Sequence, residues 1–161
     1  MKRILIAVFA LAALGPVDLH GQATAEDSVR AVVTGLFDAM RTRDSAAVRG
    51  AFVPGARLQT AAVRQDGTPV LREDSLNTFV RAVGEPSDVM WDEQLDAVYV
   101  RIDGPLAVVT TDYTFFAGPR LNHCGINAFQ LFRGPEGWKI FQLTDTRRRT
   151  GCRAEIGSSP P

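Results

Sequence analysis

The sequence predicts an α+β domain in which three N-terminal helices pack on one face of an antiparallel sheet. Apolar residues at helical spacing occupy the first half of the chain, and β-type runs occupy the second half. Within residues 122–149, the apolar runs Ile126 to Phe132 and Trp138 to Leu143 flank the segment Gly134-Pro135-Glu136-Gly137. Pro and Gly at these positions are typical of a tight turn between two strands. We expect the rest of the chain to pack on this hairpin.

The first 25 residues are typical of a cleavable secretory signal. Met1-Lys2-Arg3 precedes an apolar run from Ile4 to Leu14, and a small-residue site follows at Ala23-Thr24-Ala25. The run is too short for a bilayer-spanning helix, which needs about 20 residues. We therefore expect cleavage after Ala25, a periplasmic or secreted location and no stable membrane anchor. Residues 26–152 then form one predicted domain, and residues 153–161 form a flexible tail.

Three helices are predicted ahead of the sheet. Apolar residues recur at helical spacing from Asp27 to Thr42, which predicts the first helix. Asp44 is a good N-cap for a second, short helix that extends to Phe52. The segment Glu73 to Val83 is predicted as the third helix, and residues 57–64 as a weak strand pair or an irregular crossing.

Four long strands are predicted in the second half of the domain. Met90 to Ile102 and Leu106 to Phe116 flank a turn, and the hairpin supplies the other two strands. Apolar side chains occur on both faces of the hairpin, whereas a sheet with one wet face should alternate apolar and polar residues. One face is expected to cover the helices. The other is either curled around a cavity or hidden in a dimer.

The charge balance and the cysteines narrow the class of protein. The 18 Lys and Arg residues balance 18 Asp and Glu residues, so the domain lacks the basic surface of a nucleic-acid-binding protein. The basic cluster Arg147 to Arg149 is a solvated strand end or a contact for an anionic ligand. Cys124 and Cys152 are an even pair in a predicted exported domain, and we expect them to form a disulfide.

Four segments in order resemble the nuclear transport factor 2-like superfamily, in particular its exported SnoaL-like and lumazine-binding-like bacterial members. They are Met40 to Asp44 with Phe52 to Ala56, Arg72 to Leu76 with Phe79, Asp103 to Val109, and Phe129 to Arg133 with Gly137 to Ile140. The resemblance implies a cone-shaped α+β barrel: a strongly curved sheet wrapped by three helices, with a pocket inside and usually a homodimer through the sheet.

The same resemblance implies a range of activities rather than one. The superfamily includes ketosteroid isomerases, polyketide cyclases, dehydratases and binding modules, and a fold does not by itself define a function. Many relatives have histidines after the Trp-x-Ile step of the last strand. This chain has Gln142 and Thr144 there, which argues against a histidine mechanism at those positions.

Three residues are candidates for acid–base chemistry. Asp112 is either a solvent-facing strand residue or a base whose pKa is raised by burial in the cone. His123, the one histidine after the predicted cleavage site, is either a surface histidine or a pocket base. Tyr113 is a core or interface aromatic residue, or else a polarising donor.

Three further residues are candidates for ligand contacts. Asn127 and Gln142 interrupt apolar surfaces, so they satisfy one another or line a pocket. Trp91 packs in the core or stacks on a ligand. The sequence contains no metal-binding or phosphate-binding motif, so we expect no metal and no cofactor.

The leading hypothesis is an exported, homodimeric domain that binds a small apolar or amphipathic molecule or serves as an accessory module. The alternative from another class is a cofactor-free isomerase, cyclase or dehydratase with Asp112 or His123 as base. A third hypothesis is a structural dimer whose cone is filled.

Overall fold

The computed structural model describes residues 19–153, with side chains described from residue 25 onward. Residues 1–18 and 154–161 lie outside the described residues, so the signal peptide and the flexible tail stay predictions. Within the described part, no helix has the length and apolar character needed to cross a membrane.

Three helices precede most of the sheet: α1 (Leu19–Arg41), α2 (Ser45–Gly50) and α3 (Leu76–Gly84). Helix α1 buries the predicted apolar stripe, including Val29, Val33 and Leu36. The Asp44 side chain accepts a hydrogen bond from the backbone nitrogen of Ala47 at 2.9 Å, which confirms the predicted N-cap of α2.

Two helix boundaries differ from the predictions. Helix α2 ends at Gly50, and Phe52 opens strand β1 (Phe52–Val63), which replaces the predicted weak pair or irregular crossing. The predicted start of the third helix at Glu73 is wrong, because residues Pro69–Ser75 form strand β2, which pairs with β1. Ser75 then caps α3, since its hydroxyl accepts from the backbone nitrogen of Thr78 at 3.1 Å.

Six strands form one sheet in the order β2-β1-β6-β5-β4-β3. The predicted four-strand meander is present as β3 (Trp91–Asp103), β4 (Leu106–Ala117), β5 (Arg120–Gly134) and β6 (Gly137–Thr146). All neighbours are antiparallel except β1 and β6, which are parallel. The predicted antiparallel sheet is therefore mostly, but not wholly, antiparallel.

Register shifts in the three antiparallel pairs among β3 to β6 contribute to the curvature of the sheet, since a bulge bends and twists the strand that carries it. They fall between Leu95 and Val98, between Phe115 and Phe116, and between Gln130 and Leu131. The concave side of the sheet, which we call the inner face, packs against the helices. Phe37 of α1 meets Phe129 of β5 there, edge to face, with ring centroids 6.1 Å apart.

The opposite side of the sheet, which we call the outer face, has no helix packed on it among the described residues. It exposes apolar side chains on neighbouring strands, with relative exposures from 38% to 67%. They are Tyr99, Leu106, Val108, Ile126 and Phe132. Of the two apolar faces that the hairpin sequence predicts, one is therefore buried and the other is exposed within a single chain.

The C-terminal segment, residues 146–152, continues beside β5 beyond the end of β6, and Arg148 pairs antiparallel with Cys124. A disulfide between Cys124 and Cys152 holds it, with Cα atoms 5.6 Å apart, which confirms the predicted bridge. The backbones of Cys124 and Arg148 also exchange two hydrogen bonds, of 2.9 and 2.8 Å. Thr146 passes so close to Gly125 that a Cβ at Gly125 would lie 1.9 Å from its carbonyl oxygen. These contacts hold the segment that carries Arg147 against β5.

Candidate functional site

A cavity of about 440 Å³ opens between the inner face and helices α1 and α3, and we call it the inner pocket. Its volume lies within the range of small-molecule sites, roughly 300–1,000 Å³. Most of its wall is apolar, formed by Leu36, Phe37, Met40, Phe79, Trp91, Phe115 and Leu143. We call five of its polar lining residues the polar side: Glu93, His123, Asn127, Asp145 and Arg147. Other polar residues also line the cavity, namely Gln59, Thr60, Asp74, Thr78 and Asn122.

Glu93 and Asn127 form a hydrogen-bonded pair in the inner pocket. The Asn127 side chain is buried, and its Nδ2 donates to Glu93 Oε1 at 2.7 Å. On the neighbouring residue, Asp92 Oδ1 accepts from Arg41 Nε at 2.7 Å, which ties the start of β3 to the end of α1. Burial raises the pKa of the Glu93 carboxyl to about 7; the Asn127 hydrogen bond opposes the rise, and the negative charge of Asp145 adds to it.

Asp145 presents one paired and one unpaired carboxylate oxygen. Its Oδ2 accepts from Arg147 Nε at 2.8 Å. Its Oδ1 is buried and has no hydrogen-bond partner within the described part of the chain. An unsatisfied buried acceptor is unfavourable unless a bound group donates to it. Asp145 therefore supplies an acceptor for a donor that residues 25–153 do not provide.

His123 lies on the inner face between two aromatic rings. Its ring centroid is 5.6 Å from that of Tyr113 and 5.0 Å from that of Phe115. Its Nδ1 lies 2.8 Å from Asn122 Oδ1, and because an amide oxygen only accepts, Nδ1 carries the proton and Nε2 is the basic nitrogen of the neutral ring. Burial lowers the pKa of His123, and Arg147 lowers it further. The imidazole is therefore neutral at pH 7.

Tyr113 is a structural residue in this arrangement. Its hydroxyl donates to the carbonyl oxygen of Thr146 at 2.8 Å, and the ring is buried. Burial raises the pKa of the phenol above its ordinary value. The predicted polarising donor is thus engaged in holding the C-terminal segment.

Two predicted site residues lie on the outer face. Asp112 is exposed and pairs in register with Ile126, so the hypothesis that Asp112 is a buried base is wrong. Gln142 pairs with Gln130 and donates to Gln59 Oε1 and Thr144 Oγ1, both at 3.3 Å. Side chains of alternate parity point to opposite faces, so Gln142 and Asn127 do not satisfy one another.

The remaining ligand-contact candidates lie at the inner pocket. Trp91 lines it and packs edge to face on Phe115, with ring centroids 6.2 Å apart. Asn127 lines it beside Glu93. His123, Asn127 and Asp145 share the inner face.

Sequence reasoning missed Glu93. The signal that finds it is the alternation in β3, where Trp91, Glu93 and Leu95 share one parity. A carboxylate between two apolar residues on one face of a strand is an unusual position, because burial of a charge is costly without a partner. The candidate for a buried carboxylate in the cone is therefore Glu93 of β3 rather than Asp112 of β4.

Within residues 25–153, no group of three or more His, Cys, Asp or Glu side chains is arranged to hold a metal ion. The polar side of the inner pocket combines carboxyl, amide, imidazole and guanidinium groups. Such a set binds an organic ligand through hydrogen bonds and charge, and it includes groups that exchange protons near pH 7.

Comparisons with known proteins show which solved structures share this fold. No family model and no curated protein matches this sequence. Among solved structures, a protein of unknown function from Mycobacterium tuberculosis aligns over 92% of this chain and 83% of its own, with a TM-score of 0.66 and 13% identity. A candidate dehydratase of the NTF2-like family from Streptomyces avermitilis aligns over 80% and 99%, with a TM-score of 0.60 and 15% identity.

A third similar structure is an NTF2-like protein with a cystatin-like fold from Novosphingobium aromaticivorans. It aligns over 89% of this chain and 97% of its own, with a TM-score of 0.62 and 14% identity. At such low identity the likeness shows the fold and not the chemistry. The chain therefore has the nuclear transport factor 2-like fold that its sequence resembles.

Proposed function

We propose that the protein is an exported domain that binds a small amphipathic molecule in the inner pocket. The observation that carries the proposal is the combination of an apolar cavity of about 440 Å³ with a polar side that includes an unpaired buried oxygen, Asp145 Oδ1. Pockets of this kind derive affinity from apolar walls and orientation from a few polar groups. The filled-cone hypothesis is not consistent with this cavity.

The arrangement of the walls indicates how such a ligand lies. Its apolar part packs against the side formed by α1 and α3, where Phe37, Met40 and Phe79 face the cavity. Its polar end lies at Glu93 and Asp145. A flat apolar body with one polar group fits this division better than a sugar, whose hydroxyls would face the apolar wall unpaired.

A cavity-filling variant tests the proposal. Leu143→Trp adds an indole to the pocket wall, whereas Leu71→Trp adds the same group at an exposed position of β2. Titration with 2-(1-naphthyl)ethanol, followed by naphthalene fluorescence, should show saturable binding to the wild type and to Leu71→Trp. Binding to Leu143→Trp should weaken at least about tenfold, since the ligand and the indole compete for one space. Equal binding by both variants would place the ligand elsewhere.

A second candidate function is cofactor-free acid–base catalysis, favoured by the Glu93 carboxyl with its pKa of about 7. Near neutral pH this group is present in both the carboxylate and the carboxylic acid forms, as a residue that takes and returns a proton requires. His123 Nε2 is a second basic atom lining the same cavity. This candidate keeps the isomerase or dehydratase class of the alternative hypothesis and replaces its Asp112 base with Glu93.

Deuterium exchange tests this second candidate without knowledge of the substrate. In deuterated buffer, a carboxylate at Glu93 would remove an α-proton from 2-tetralone, and solvent would return a deuteron to the enolate. We expect exchange faster than in buffer with the wild type and with Asp112→Asn, and exchange at the buffer rate with Glu93→Gln. Exchange at the buffer rate with all three proteins would reject proton-transfer catalysis on this ketone class.

We also propose a homodimer that covers the outer face. Exposed apolar side chains on β3, β4 and β5 form a neighbouring set there, and contiguous exposed apolar surface typically marks an interaction site. Sedimentation velocity should show a wild-type dimer at micromolar concentration. Ile126→Asp should produce monomers, whereas Val89→Asp, an exposed apolar position outside the sheet, should not. A monomeric wild type would reject the dimer.

The proposed export follows from the predicted signal and is supported by the disulfide between Cys124 and Cys152. N-terminal sequencing of protein recovered from the extracytoplasmic fraction of a bacterial host should give Glu26 as the first residue. An intact Met1 in the cytoplasmic fraction would reject it.

A further inference from the structure

We propose that the ligand of the inner pocket carries a protonated amine, which binds between the carboxyl groups of Asp145 and Glu93. This inference rests on the proposed ligand-binding function and adds the chemical class of the polar end. It depends on three features of the pocket: an unpaired buried acceptor, an uncompensated carboxyl group and an aromatic wall next to both.

The unpaired acceptor is Asp145 Oδ1. Arg147 satisfies only the other oxygen of this carboxylate, and among residues 25–153 nothing donates to Oδ1. A ligand that fills this position must present a hydrogen-bond donor. A carboxylate or a ketone presents only acceptors there and would leave two negative or partially negative oxygens in contact.

The uncompensated carboxyl group is that of Glu93. Its hydrogen bond comes from the neutral amide of Asn127, and no Lys or Arg nitrogen in the described part of the chain lies within ion-pair distance. The nearby charge of Asp145 makes its ionisation less favourable. A cation bound beside Glu93 would remove this penalty, because an opposite charge stabilises the carboxylate.

The other charged groups around the pocket compensate Glu93 only in part, since the charge of Arg147 lowers its pKa while burial and Asp145 raise it. Arg147 is paired with Asp145, so these two charges cancel. His123 is neutral at pH 7, because burial lowers its pKa. Asp74 of β2 also lines the pocket and adds negative charge. With Glu93 ionised, the lining therefore has an excess of negative charge that a cationic ligand would neutralise.

An aromatic wall adjoins these carboxyl groups. Trp91 is two residues from Glu93 on the same face of β3, and its ring meets that of Phe115 edge to face at 6.2 Å. Aromatic faces attract ammonium groups as well as apolar surface. A neutral alcohol would satisfy Asp145 Oδ1 but would leave Glu93 without a counter-charge. The combination therefore favours an aryl-alkyl or alkyl amine over the corresponding alcohol.

The inference predicts a link between binding and protonation. An ammonium group favours ionised Glu93, so binding at pH 6.5 to 7 should release a proton, and the affinity for the amine should rise as the pH increases from 6 to 8. The charged groups that act on Glu93 are Asp145 and Arg147, and Asp74 and His123 line the same cavity. Binding of an alcohol should release no proton.

Three probes of the same shape and different polar end test the inference on the wild-type mature protein: 2-(1-naphthyl)ethylamine, 2-(1-naphthyl)ethanol and 1-naphthylacetate. Calorimetry in two buffers of different ionisation enthalpy gives both the affinity and the number of protons released. We expect the amine to bind at least about tenfold more tightly than the alcohol, and the carboxylate to bind most weakly. Asp145→Asn and Glu93→Gln should each remove most of this preference, whereas the outer-face control Asp112→Asn should keep it.

The outcomes separate the two proposals. An alcohol that binds as tightly as the amine, with no proton release, would overturn the amine inference and leave the ligand-binding function intact. Tighter binding of the carboxylate would overturn it as well and would assign recognition to Arg147. Failure of all three probes to bind would overturn the ligand-binding function for this class of molecule, and the inference with it.

Discussion

Asn127 Nδ2 lies 2.7 Å from Glu93 Oε1, although β4 separates the strands that carry them. The curvature of the sheet brings the two side chains together across the middle strand. Asn127 is thereby held in one orientation, and Glu93 has a hydrogen-bond donor but no counter-ion. Burial raises the pKa of Glu93 and this hydrogen bond opposes the rise, and the first two predictions follow from that balance.

Glu93→Gln should change how stability depends on pH. The pKa of Glu93 is raised from an ordinary value of 4.5 to about 7. The folded state therefore binds more protons than the unfolded state between these values, and stability falls as the pH rises through this window. Urea denaturation at pH 5 and pH 8 should show the decrease in the wild type, on the order of 2–3 kcal/mol, and its loss in Glu93→Gln.

The difference between the two proteins isolates Glu93 from other titrating groups. The pKa of His123 is lowered from its ordinary value of 6.5, so His123 destabilises the folded state as the pH falls below 6.5. This effect is the same in the wild type and in Glu93→Gln. An identical pH dependence in wild type and Glu93→Gln would contradict a raised pKa at this residue.

Asn127→Leu should raise the pKa of Glu93 further. The Asn127 amide stabilises the carboxylate form, so its replacement by a side chain of similar size leaves desolvation and Asp145 unopposed. A ¹³C NMR titration of the Glu93 carboxyl group should give a midpoint above that of the wild type. Asn122→Leu, which removes an exposed amide at the pocket rim, is the matched control and should shift the midpoint less. A wild-type midpoint in Asn127→Leu would show that the hydrogen bond is absent in solution.

Gly125→Ala should destabilise the protein by about 2–4 kcal/mol in chemical denaturation, because overpacking forces backbone to move. The added Cβ would lie 1.9 Å from the Thr146 carbonyl oxygen, the same atom that accepts from the Tyr113 hydroxyl. Gly35→Ala is the control: a Cβ there meets nothing within 4 Å, and Ala in a helix is favoured over Gly by about 1 kcal/mol. Equal stabilities for the two variants would mean that Thr146 does not lie against Gly125 as described.

Replacement of both cysteines by serine should destabilise the protein by roughly 3–4 kcal/mol, because the unfolded chain regains the entropy that a closed loop of this length removes. The bridge spans a sequence separation of 28 residues. Reduction of the wild type should reproduce the loss, as measured by urea denaturation. Because the bridge holds the segment next to Arg147, affinity for a pocket ligand should fall as well. A stability within about 1 kcal/mol of the wild type would show that the hydrogen bonds of Arg148 hold the segment without the bridge.

The fold was predictable because its main elements have strong local patterns. The apolar stripe of α1, the cap at Asp44 and the turn at Gly134 to Gly137 each specify structure within a few residues. The start of α3 was not predictable in the same way. Residues Glu73 to Ser75 suit a helix locally, but they pair with the preceding strand β1, and this tertiary contact overrides the local preference. The parallel pairing of β1 with β6 joins segments far apart in the chain, so local patterns do not predict it either.

The candidate site was predictable only in part, because side-chain direction depends on register and bulges. The structure places His123, Asn127 and Trp91 at the inner pocket, but Asp112 and Gln142 on the outer face. The shift between Gln130 and Leu131 sets which hairpin residues share a face. Alternation in the first part of β3, from Trp91 to Leu95, precedes the bulge of that strand and identifies Glu93 as an inner-face carboxylate.

The most direct test of the central claim, that the inner pocket receives a small molecule, is an NMR titration of the ¹⁵N-labelled mature protein with 2-(1-naphthyl)ethylamine. We expect saturable shifts at the amides of Glu93, Asn127, Leu143 and Asp145, which line the pocket. The amides of Tyr99, Val108 and Phe132, on the outer face, should not move. Shifts confined to the outer face, or no shifts at millimolar probe, would contradict the account.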